Sequence, residues 1–370
     1  MRAVVVWGGC GTVGQRVRDA ILEQDDMTVY GVVTRSAKES VLIPHAKGIR
    51  IFTTDAKEIP AFKELGIADI GTLDDLWRSR QQFDIIVDCT PEGEGAANVQ
   101  RYYRPLGIPA ILQGGEEHAA AEMSFNATVN FDDAKGKRVV RVVSCNTTGS
   151  LRVLHALDRA FGIRFASASI DRRGNDPHQS SKLPRGSISK PSLNSHHGPD
   201  IVTVMSHLSG RVKTKAKKSD KQEFHSHEWS VVLGRDVTRE EALSVLRVAE
   251  RVLLLSGRRQ FEDDGKIRFW AKERFLRGDI YESIVWPEET VDIEDLEGRS
   301  VPRGPKVRFD MLVDQQCIVV PEIVDAIRAM LGMASREESI LRTNRSLAIG
   351  TSRARDAPVT HGDYTVRASS

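Results

Sequence analysis

The sequence predicts an α/β fold in which an N-terminal Rossmann dinucleotide-binding domain precedes an α+β catalytic domain with a mostly antiparallel or mixed sheet. Three observations predict this fold. An apolar run over residues 3–7 leads directly into a glycine-rich loop and a segment with helical spacing. Short apolar runs then alternate with helical segments up to residue 143. Beyond Gly149, apolar runs are instead separated by long polar connections.

The glycine-rich loop gives the first functional prediction. It occupies residues 9–14 with the sequence Gly-Cys-Gly-Thr-Val-Gly, and an apolar stripe with helical spacing follows from Val13 to Ile21. A second strand is predicted at residues 29–33, which completes a strand–loop–helix–strand unit. Glycines in this context bring a pyrophosphate close to the helix N-terminus, so we expect a nicotinamide dinucleotide to bind here. The glycines concerned are Gly9, Gly11 and Gly14.

The end of the second predicted strand indicates which dinucleotide binds. An acid that reads the ribose 2′-hydroxyl would stand about 20 residues past the glycines. The chain has Thr34, Arg35 and Ser36 there instead. A guanidinium and hydroxyl groups can hold a 2′-phosphate, which a carboxylate would repel. We therefore expect NADP to bind at least as well as NAD, and the alternative is an Arg35 that only faces solvent.

Two later strands are expected to supply walls for the nicotinamide pocket. Apolar runs at residues 84–88 and 110–112 predict parallel strands, and each ends in a loop. Open α/β sheets bind ligands at the carboxyl ends of their strands. The loops at residues 89–91 and 113–115 are therefore candidate pocket walls.

The second half of the chain predicts a different sheet. Its strands are expected at four apolar runs, residues 166–170, 201–205, 229–233 and 309–313. Thr238 and Glu241 form a capping box that begins a helix, and Pro321 opens the last apolar stripe. The expected organisation is a Rossmann domain at 1–143, a catalytic domain at 144–320, a C-terminal helix at 321–350 that packs back on the Rossmann domain, and a disordered tail at 351–370.

The most informative stretch is Ser144-Cys145-Asn146-Thr147-Thr148-Gly149, which joins an apolar run to a helical segment. It places Cys145 at a strand-to-helix junction. A thiol there faces the unpaired N–H groups of a helix N-terminus, which favours the thiolate and can hold an oxyanion. The alternative is a buried structural cysteine, but the polar neighbours make a poor apolar pocket.

A cysteine nucleophile needs a base and a binding group for any substrate anion. Three histidine sites are candidates for the base, namely His118, the pair His196 and His197, and the pair His225 and His227. Alternation along a strand would place His225 and His227 on one face. The adjacent Arg172 and Arg173 follow a predicted strand and suit a phosphate or carboxylate. An ordinary surface or structural role is the alternative for each of these residues.

Composition argues against several classes of function. The chain has 53 basic and 51 acidic side chains, so its charge gives no case for a general nucleic-acid or membrane partner. No apolar run approaches membrane-spanning length. The four cysteines form no CxxC pair, which argues against a zinc site and a disulfide framework and favours a cytoplasmic location. No metal site is expected.

Six motifs occur in order along the chain, at residues 9–14, 88–93, 113–116, 143–149, 195–200 and 319–322. Together they resemble the archaeal-type (type II) phosphorylating glyceraldehyde-3-phosphate dehydrogenase family, and the resemblance is collinear from about residue 2 to residue 350. It implies oxidation of glyceraldehyde 3-phosphate to 1,3-bisphosphoglycerate with NADP or NAD and inorganic phosphate. It further implies a cysteine thioester intermediate and a cytoplasmic homotetramer.

The resemblance also implies roles for single residues. Cys145 would be the nucleophile, and His225 would remove the hydroxyl proton of the hemithioacetal. The residues expected to contact the aldehyde substrate or phosphate are Ser144, Asn146, His196, His197 and Arg172. The residues expected to contact the dinucleotide, besides the three glycines, Thr34 and Arg35, are Thr12, Val13, Gly114, Gly115, Arg173 and Gln315.

The chain departs from the family's pattern at residues 213–224, where five lysines replace a largely apolar strand. Lysines of this kind guard the edge of a sheet; alternatively they rebuild the anion pocket or a subunit contact. A paralogue that acts on another small anionic aldehyde therefore stays open. The alternative from another class is a non-catalytic NADP-binding redox sensor. Nucleic-acid binding through the lysines is disfavoured because no aromatic residues are interleaved.

Overall fold

A computed structural model describes residues 1–113, 115–175, 182–258, 260–287, 292–295 and 304–350. The chain divides into two compact units. Unit 1 comprises Met1–Ser144 and Val320–Leu347, and unit 2 comprises Cys145–Val319 and the described residues that follow Leu347.

The strands fall into one sheet in each unit. The strands of unit 1 are β1 (Arg2–Trp7), β2 (Met27–Thr34), β3 (Arg50–Thr53), β4 (Ile70–Thr72), β5 (Ile85–Asp88), β6 (Ala110–Leu112), β7 (Met123–Phe125) and β8 (Val139–Val142). The strands of unit 2 are β9 (Ile163–Arg173), β10 (Val212–Ser219), β11 (His225–Leu233), β12 (Val252–Leu254), β13 (Ser283–Val285), β14 (Asp292–Asp295) and β15 (Pro305–Val313).

The helices are likewise divided between the units. In chain order they are α1 (Thr12–Leu22), α2 (Leu42–Ala46), α3 (Ile59–Glu64), α4 (Leu73–Arg78), α5 (Glu94–Asn98), α6 (Ala127–Asn130), α7 (Cys145–Phe161), α8 (His197–Val202), α9 (Arg239–Val248), α10 (Asp264–Arg274), α11 (Val320–Leu331) and α12 (Arg336–Ser346). Helices α7 to α10 belong to unit 2 and the others to unit 1. Among the described residues, no helix combines the length and the apolar character that crossing a membrane requires.

The sheet of unit 1 is parallel throughout, with the strand order β4-β3-β2-β1-β5-β6-β8-β7. Strand order reverses between β1 and β5, which is the switch point where doubly wound sheets bind ligands. Val4, Val5 and Val6 of the central strand β1 are fully buried, as a continuous apolar run in a parallel sheet predicts. The predicted Rossmann fold is confirmed.

The sheet of unit 2 is mixed, with the order β10-β9-β11-β15-β13-β12 and with β14 paired to β15. Strands β9, β11 and β15 pair in antiparallel fashion, whereas β10 runs parallel to β9 and β12 runs parallel to β13. The predicted mixed sheet is thus confirmed. The capping box of Thr238 and Glu241 is present with both of its hydrogen bonds and begins α9.

One predicted strand is wrong. Residues 201–205 do not form a strand, because the helix α8 ends at Val202 and turns follow it. Pro199 and Asp200 stand in the first turn of α8, where a missing N–H costs nothing and an acid is favoured. The apolar residues Ile201 and Met205 are both buried, and their spacing of four residues is helical. The apolar residues of this segment therefore follow helical spacing and not the two-residue alternation of a strand.

Candidate functional site

Cys145 is the first residue of helix α7, three residues after the end of strand β8. It is half-buried, while most of the first two turns of α7 are fully buried. Gly149 allows this packing, because a Cβ at this position would lie 2.6 Å from Cγ2 of Val313 on β15. The start of the helix is therefore held against the sheet of unit 2, and the thiol takes a fixed place at the helix N-terminus.

The ionisation of the thiol differs from what the sequence leads us to expect. Burial raises the pKa of the Cys145 thiol to about 11, although the backbone N–H of Asn146 and the charges of Arg173 and Arg172 lower it. The helix N-terminus does favour the thiolate, as expected, but the loss of hydration outweighs it. With this pKa, most of the thiol is protonated at neutral pH.

His225 is buried at the start of β11, and its ring orientation is fixed by the backbone. The N–H of Arg173 donates a 2.9 Å hydrogen bond to Nδ1 of His225. Because Nδ1 accepts, the neutral ring carries its proton on Nε2. Burial lowers the pKa of His225 well below its usual value, and the neighbouring His227, Arg173, Arg172 and His197 add to the effect.

Arg173 connects three segments of unit 2. Its Nε donates to Oε1 of Gln315 at 2.6 Å, and its Nη1 donates to the carbonyl oxygens of Gln222 at 2.8 Å and Glu223 at 3.2 Å. The resemblance implies that Arg173 and Gln315 both contact the dinucleotide. In the structure they contact each other, and Arg173 also holds the chain that leads into His225.

Arg172 differs from its neighbour. Its side chain is half-buried with a buried Nε, and within the described ranges it has no hydrogen-bond or ion-pair partner. Its charge nevertheless lowers the pKa values of Cys145, His197 and His225, so it lies in their neighbourhood. A guanidinium in this position is available to an anionic ligand.

The predicted pair His196 and His197 opens helix α8. The two ring centroids lie 4.1 Å apart, His196 is exposed and His197 is buried. His197 and His227 both hydrogen-bond to the side chain of Asn146, the residue after the nucleophile. The structure thus gathers Cys145, Asn146 and the two buried histidines of the predicted site in unit 2. His118 belongs to unit 1, where its Nδ1 lies 2.8 Å from Oγ of Ser124.

Four of the five divergent lysines lie on β10, the last strand in the order of the unit 2 sheet. Lys213 and Lys215 of β10 are exposed, whereas the alternate residues Thr214 and Ala216 are buried. Thr214 hydrogen-bonds to Ser195, which in turn contacts His197. Because side chains alternate along a strand, Lys213 and Lys215 lie on the face opposite to these residues. These two side chains therefore do not rebuild the anion site around His197. They do not guard an open edge either, because the backbone of residues 189–195 hydrogen-bonds to the outer side of β10.

The glycine-rich loop of unit 1 borders a cavity of about 820 Å³. Gly11, Thr12 and Val13 line it, and so do Thr34 and Arg35 at the end of β2. Gly14 lies behind the loop, where a Cβ would stand 2.1 Å from the carbonyl oxygen of Gly8. A cavity of this size at the N-terminus of the eleven-residue helix α1, at the switch point of the sheet, fits a dinucleotide.

The part of the cavity near Arg35 is mixed in charge. Lys38 and Arg101 also line it, as do the acids Asp55 and Glu94. Arg35 is mostly exposed and forms a 3.5 Å ion pair with Glu94. Sequence reasoning identified Arg35 but missed Lys38 and Arg101, because neither stands at the expected distance from the glycines.

Other predicted residues have simpler outcomes. Gly9 supports the loop from behind, since a Cβ there would lie 2.7 Å from Cγ1 of Val32. Gly115 has a left-handed φ of +86°. Gln113, two residues before it, lines the cavity, and Gly114 lies outside the described residues. Ser144 is half-buried at the end of unit 1.

One buried cluster in unit 2 has the composition of a metal site. The ligand atoms of Asp279, Asp314 and Cys317 lie within 4.8 Å of one another. Nη2 of Arg268 lies 2.8 Å from Oδ2 of Asp314, and the Cys317 thiol donates to the carbonyl oxygen of Ile280. The guanidinium therefore already supplies a positive charge to this cluster.

Comparison with known proteins agrees with this geometry. The family model "Glyceraldehyde 3-phosphate dehydrogenase, C-terminal domain" matches residues 144–283. The glyceraldehyde-3-phosphate dehydrogenase of Archaeoglobus fulgidus is 40% identical over 353 residues, covering 95% of this chain and 99% of the relative. Those of Methanobrevibacter smithii and Thermococcus kodakarensis are 38% and 37% identical, covering 94% of this chain and 100% and 99% of the relatives. The chain belongs to the archaeal-type glyceraldehyde-3-phosphate dehydrogenase family, a family of oxidoreductases.

Proposed function

We propose that the protein oxidises glyceraldehyde 3-phosphate, with inorganic phosphate and NADP or NAD, to 1,3-bisphosphoglycerate, and that the reaction passes through a thioester on Cys145. The observation that supports this proposal is the place of Cys145 at the N-terminus of α7, near Arg172 and three buried histidines. We further propose that it works in the cytoplasm as a homotetramer, as the resemblance implies.

In the first step the Cys145 thiol releases its proton to water, and the thiolate then attacks the aldehyde carbon, so that a C–S bond forms and the carbonyl oxygen becomes an alkoxide. The resemblance implies that His225 removes a hydroxyl proton at this stage. The tautomer set by Arg173 favours another role, because Nε2 already carries a proton. In the proposal, Nε2–H of His225 donates to the carbonyl oxygen as negative charge develops there. The alkoxide then needs no separate base.

A bound dinucleotide would supply the hydride acceptor, so that the C–H bond of the alkoxide can break as its carbonyl re-forms and the thioester stays on Cys145. The cavity in unit 1 would bind this cofactor through Thr12, Val13 and the loop backbone, with Arg35 and Lys38 beside a 2′-phosphate. An oxygen of inorganic phosphate then attacks the thioester carbon, the C–S bond breaks, and the thiolate leaves with its electron pair. Arg172 and His196 are the proposed anion contacts for the phosphate groups.

The experiment is a steady-state assay of the purified protein. With glyceraldehyde 3-phosphate, NADP and inorganic phosphate we expect NADPH formation that depends on all three. A panel of other small anionic aldehydes separates this substrate from those of a paralogue. If no aldehyde in the panel gives phosphate-dependent reduction while NADP still binds, the catalytic proposal is wrong and a non-catalytic NADP-binding role replaces it.

A further inference from the structure

We propose that His227 is a positioning residue, which holds the side chain of Asn146 and thereby fixes the first turn of the helix that carries Cys145. The proposal rests on the proposed function, since it concerns the same nucleophile. His227 is fully buried in β11, two residues after His225. Neither the resemblance nor the mechanism above gives it a task.

The contacts of Asn146 carry the argument. Its Oδ1 lies 2.7 Å from Nε2 of His227, and its Nδ2 lies 3.2 Å from Nε2 of His197. Asn146 is almost fully buried, so both ends of its amide are used inside the protein. The side chain is therefore clamped between strand β11 and helix α8. This use of the amide favours a structural role for Asn146 over the substrate contact that the resemblance implies.

The hydrogen-bond directions form one consistent chain. The amide oxygen can only accept, so Nε2 of His227 is protonated and donates. The amide nitrogen donates to Nε2 of His197, so His197 carries its proton on Nδ1, which donates to Oγ of Ser195 at 3.1 Å. Oγ of Ser195 lies 2.7 Å from Oγ1 of Thr214 on β10. His197 thus accepts through Nε2 and donates through Nδ1, whereas His227 donates through Nε2 and its Nδ1 lies 3.4 Å from Oγ of Ser150.

The clamp acts on the atoms next to the nucleophile. Asn146 follows Cys145 directly, and its backbone N–H interacts with the thiol. Its carbonyl oxygen accepts a 2.8 Å hydrogen bond from Ser150, one turn further along α7. A shift of the Asn146 side chain therefore moves the peptide that faces the sulfur. Displacements of about 1 Å in a catalytic group cost about 100-fold in rate.

The test compares two substitutions that differ in one hydrogen bond. His227→Leu removes the donor to Asn146 and keeps an apolar side chain of moderate size, whereas His227→Gln offers an amide N–H in its place. Glu228→Gln is the matched control, because Glu228 is the next residue and is exposed on the opposite face of β11. We expect His227→Leu to lower kcat about 10- to 100-fold with KM changed less than about 3-fold. His227→Gln should recover most of kcat, and Glu228→Gln should match the wild type.

A double-mutant cycle tests whether His227 acts through Asn146. We expect Asn146→Ala to lower kcat, and the double variant Asn146→Ala/His227→Leu to be no slower than Asn146→Ala alone, because the clamp is already absent. Additive losses overturn the proposal, as does a folded His227→Leu protein with the kcat of the wild type. If His227→Leu does not fold, His227→Ala, which also lacks the donor, takes its place in the cycle.

A substrate-free readout separates this proposal from the proposed function. The rate at which iodoacetamide alkylates Cys145, followed by mass spectrometry of its peptide, reports the environment of the thiol alone. We expect His227→Leu to change this rate at least about 3-fold and His227→Gln to restore it. If the wild type lacks phosphate-dependent activity but shows this alkylation pattern, the proposed function fails and the positioning role stands. An unchanged rate in both variants overturns the positioning role.

Discussion

The backbone N–H of Arg173 donates a 2.9 Å hydrogen bond to Nδ1 of His225. In a general base of the serine-protease kind, Nδ1 of the histidine carries a proton and donates a hydrogen bond. In this protein Nδ1 of His225 instead accepts a hydrogen bond from the main chain. The ring of His225 therefore presents a proton at Nε2 and not a lone pair. The side-chain contacts of Arg173 hold its backbone in place, and the position of that backbone sets the tautomer of His225.

The first prediction concerns the role of His225. His225→Ala should lower kcat by about 10²- to 10³-fold, because a donor to the developing oxyanion is lost. His225→Gln should recover part of this loss, since its side-chain amide can donate from nearly the same place but cannot remove a proton. Steady-state kinetics of the two variants at saturating substrate measure the difference. Equal losses in both variants would favour the base role over the donor role.

The second prediction concerns the pH dependence of the Cys145 thiol. Burial raises its pKa to about 11, so the thiolate fraction should rise about tenfold per pH unit from pH 7 to pH 10. The alkylation rate of Cys145 in the ligand-free protein should follow that fraction. Arg172→Ala should slow alkylation at fixed pH, because the Arg172 charge lowers the pKa of the thiol. Arg308→Ala, which removes an exposed cation on β15, is the control. A rate that is already maximal at pH 7 would contradict this account.

The third prediction concerns stability in acid. Burial lowers the pKa of His197 from 6.5 to about 2 and that of His227 from 6.5 to about 3. In the unfolded chain both rings take up protons below pH 6.5, whereas the folded protein keeps them neutral, so stability is lost as the pH falls through this range. Each ring should reduce the free energy of unfolding by about 1.4 kcal/mol per pH unit between pH 6 and pH 4.

Denaturant unfolding at a series of pH values measures this slope. His227→Gln removes one titrating ring and should flatten the slope by that ring's share, whatever its effect on stability at pH 7. A variant whose slope equals that of the wild type would show that His227 is not held neutral in the folded protein.

The fourth prediction concerns the coenzyme. Arg35 lines the cavity of unit 1 and is paired only loosely with Glu94. Arg35→Ala should lower the ratio of NADP to NAD affinity by about 10- to 100-fold, the range expected for a lost hydrogen bond to a charged group. Arg104→Ala, which removes an exposed arginine outside the cavity lining, should leave the ratio unchanged. Fluorescence titration of both coenzymes gives the ratio. If Arg35→Ala keeps the wild-type ratio, another residue such as Lys38 selects the coenzyme.

Local patterns made the glycine loop, the parallel strands and the place of Cys145 predictable. Each of these predictions depends on residues that are neighbours in the sequence. Each also depends on apolar residues that recur every two positions in a strand or every 3.6 positions in a helix. The same reasoning failed at residues 201–205, where a short apolar segment fits either period. Strand alternation also predicted that His225 and His227 share one face, and both side chains are buried in β11 with an intermediate residue between them.

The ionisation states and the hydrogen-bond partners of the site could not be predicted in this way. The raised pKa of Cys145 results from burial, which depends on how unit 2 packs and not on the helix N-terminus alone. The contact between Arg173 and Gln315 joins residues 142 positions apart. The Asn146 clamp likewise links Asn146 to His227 over 81 positions. A sequence shows the residue types, but the directions of their hydrogen bonds depend on the tertiary structure.

The central claim, that the sulfur of Cys145 carries the acyl group, is tested most directly by trapping that group. Protein mixed with glyceraldehyde 3-phosphate and NADP, without inorganic phosphate, should form about one equivalent of NADPH and gain one acyl group on the Cys145 peptide. Added phosphate should release the group. Cys145→Ser should form neither product, and Cys317→Ser, which keeps a hydrogen-bond donor at a buried position, should behave as the wild type. An acyl group found on another residue, or a burst of NADPH that survives in Cys145→Ser, would contradict the account.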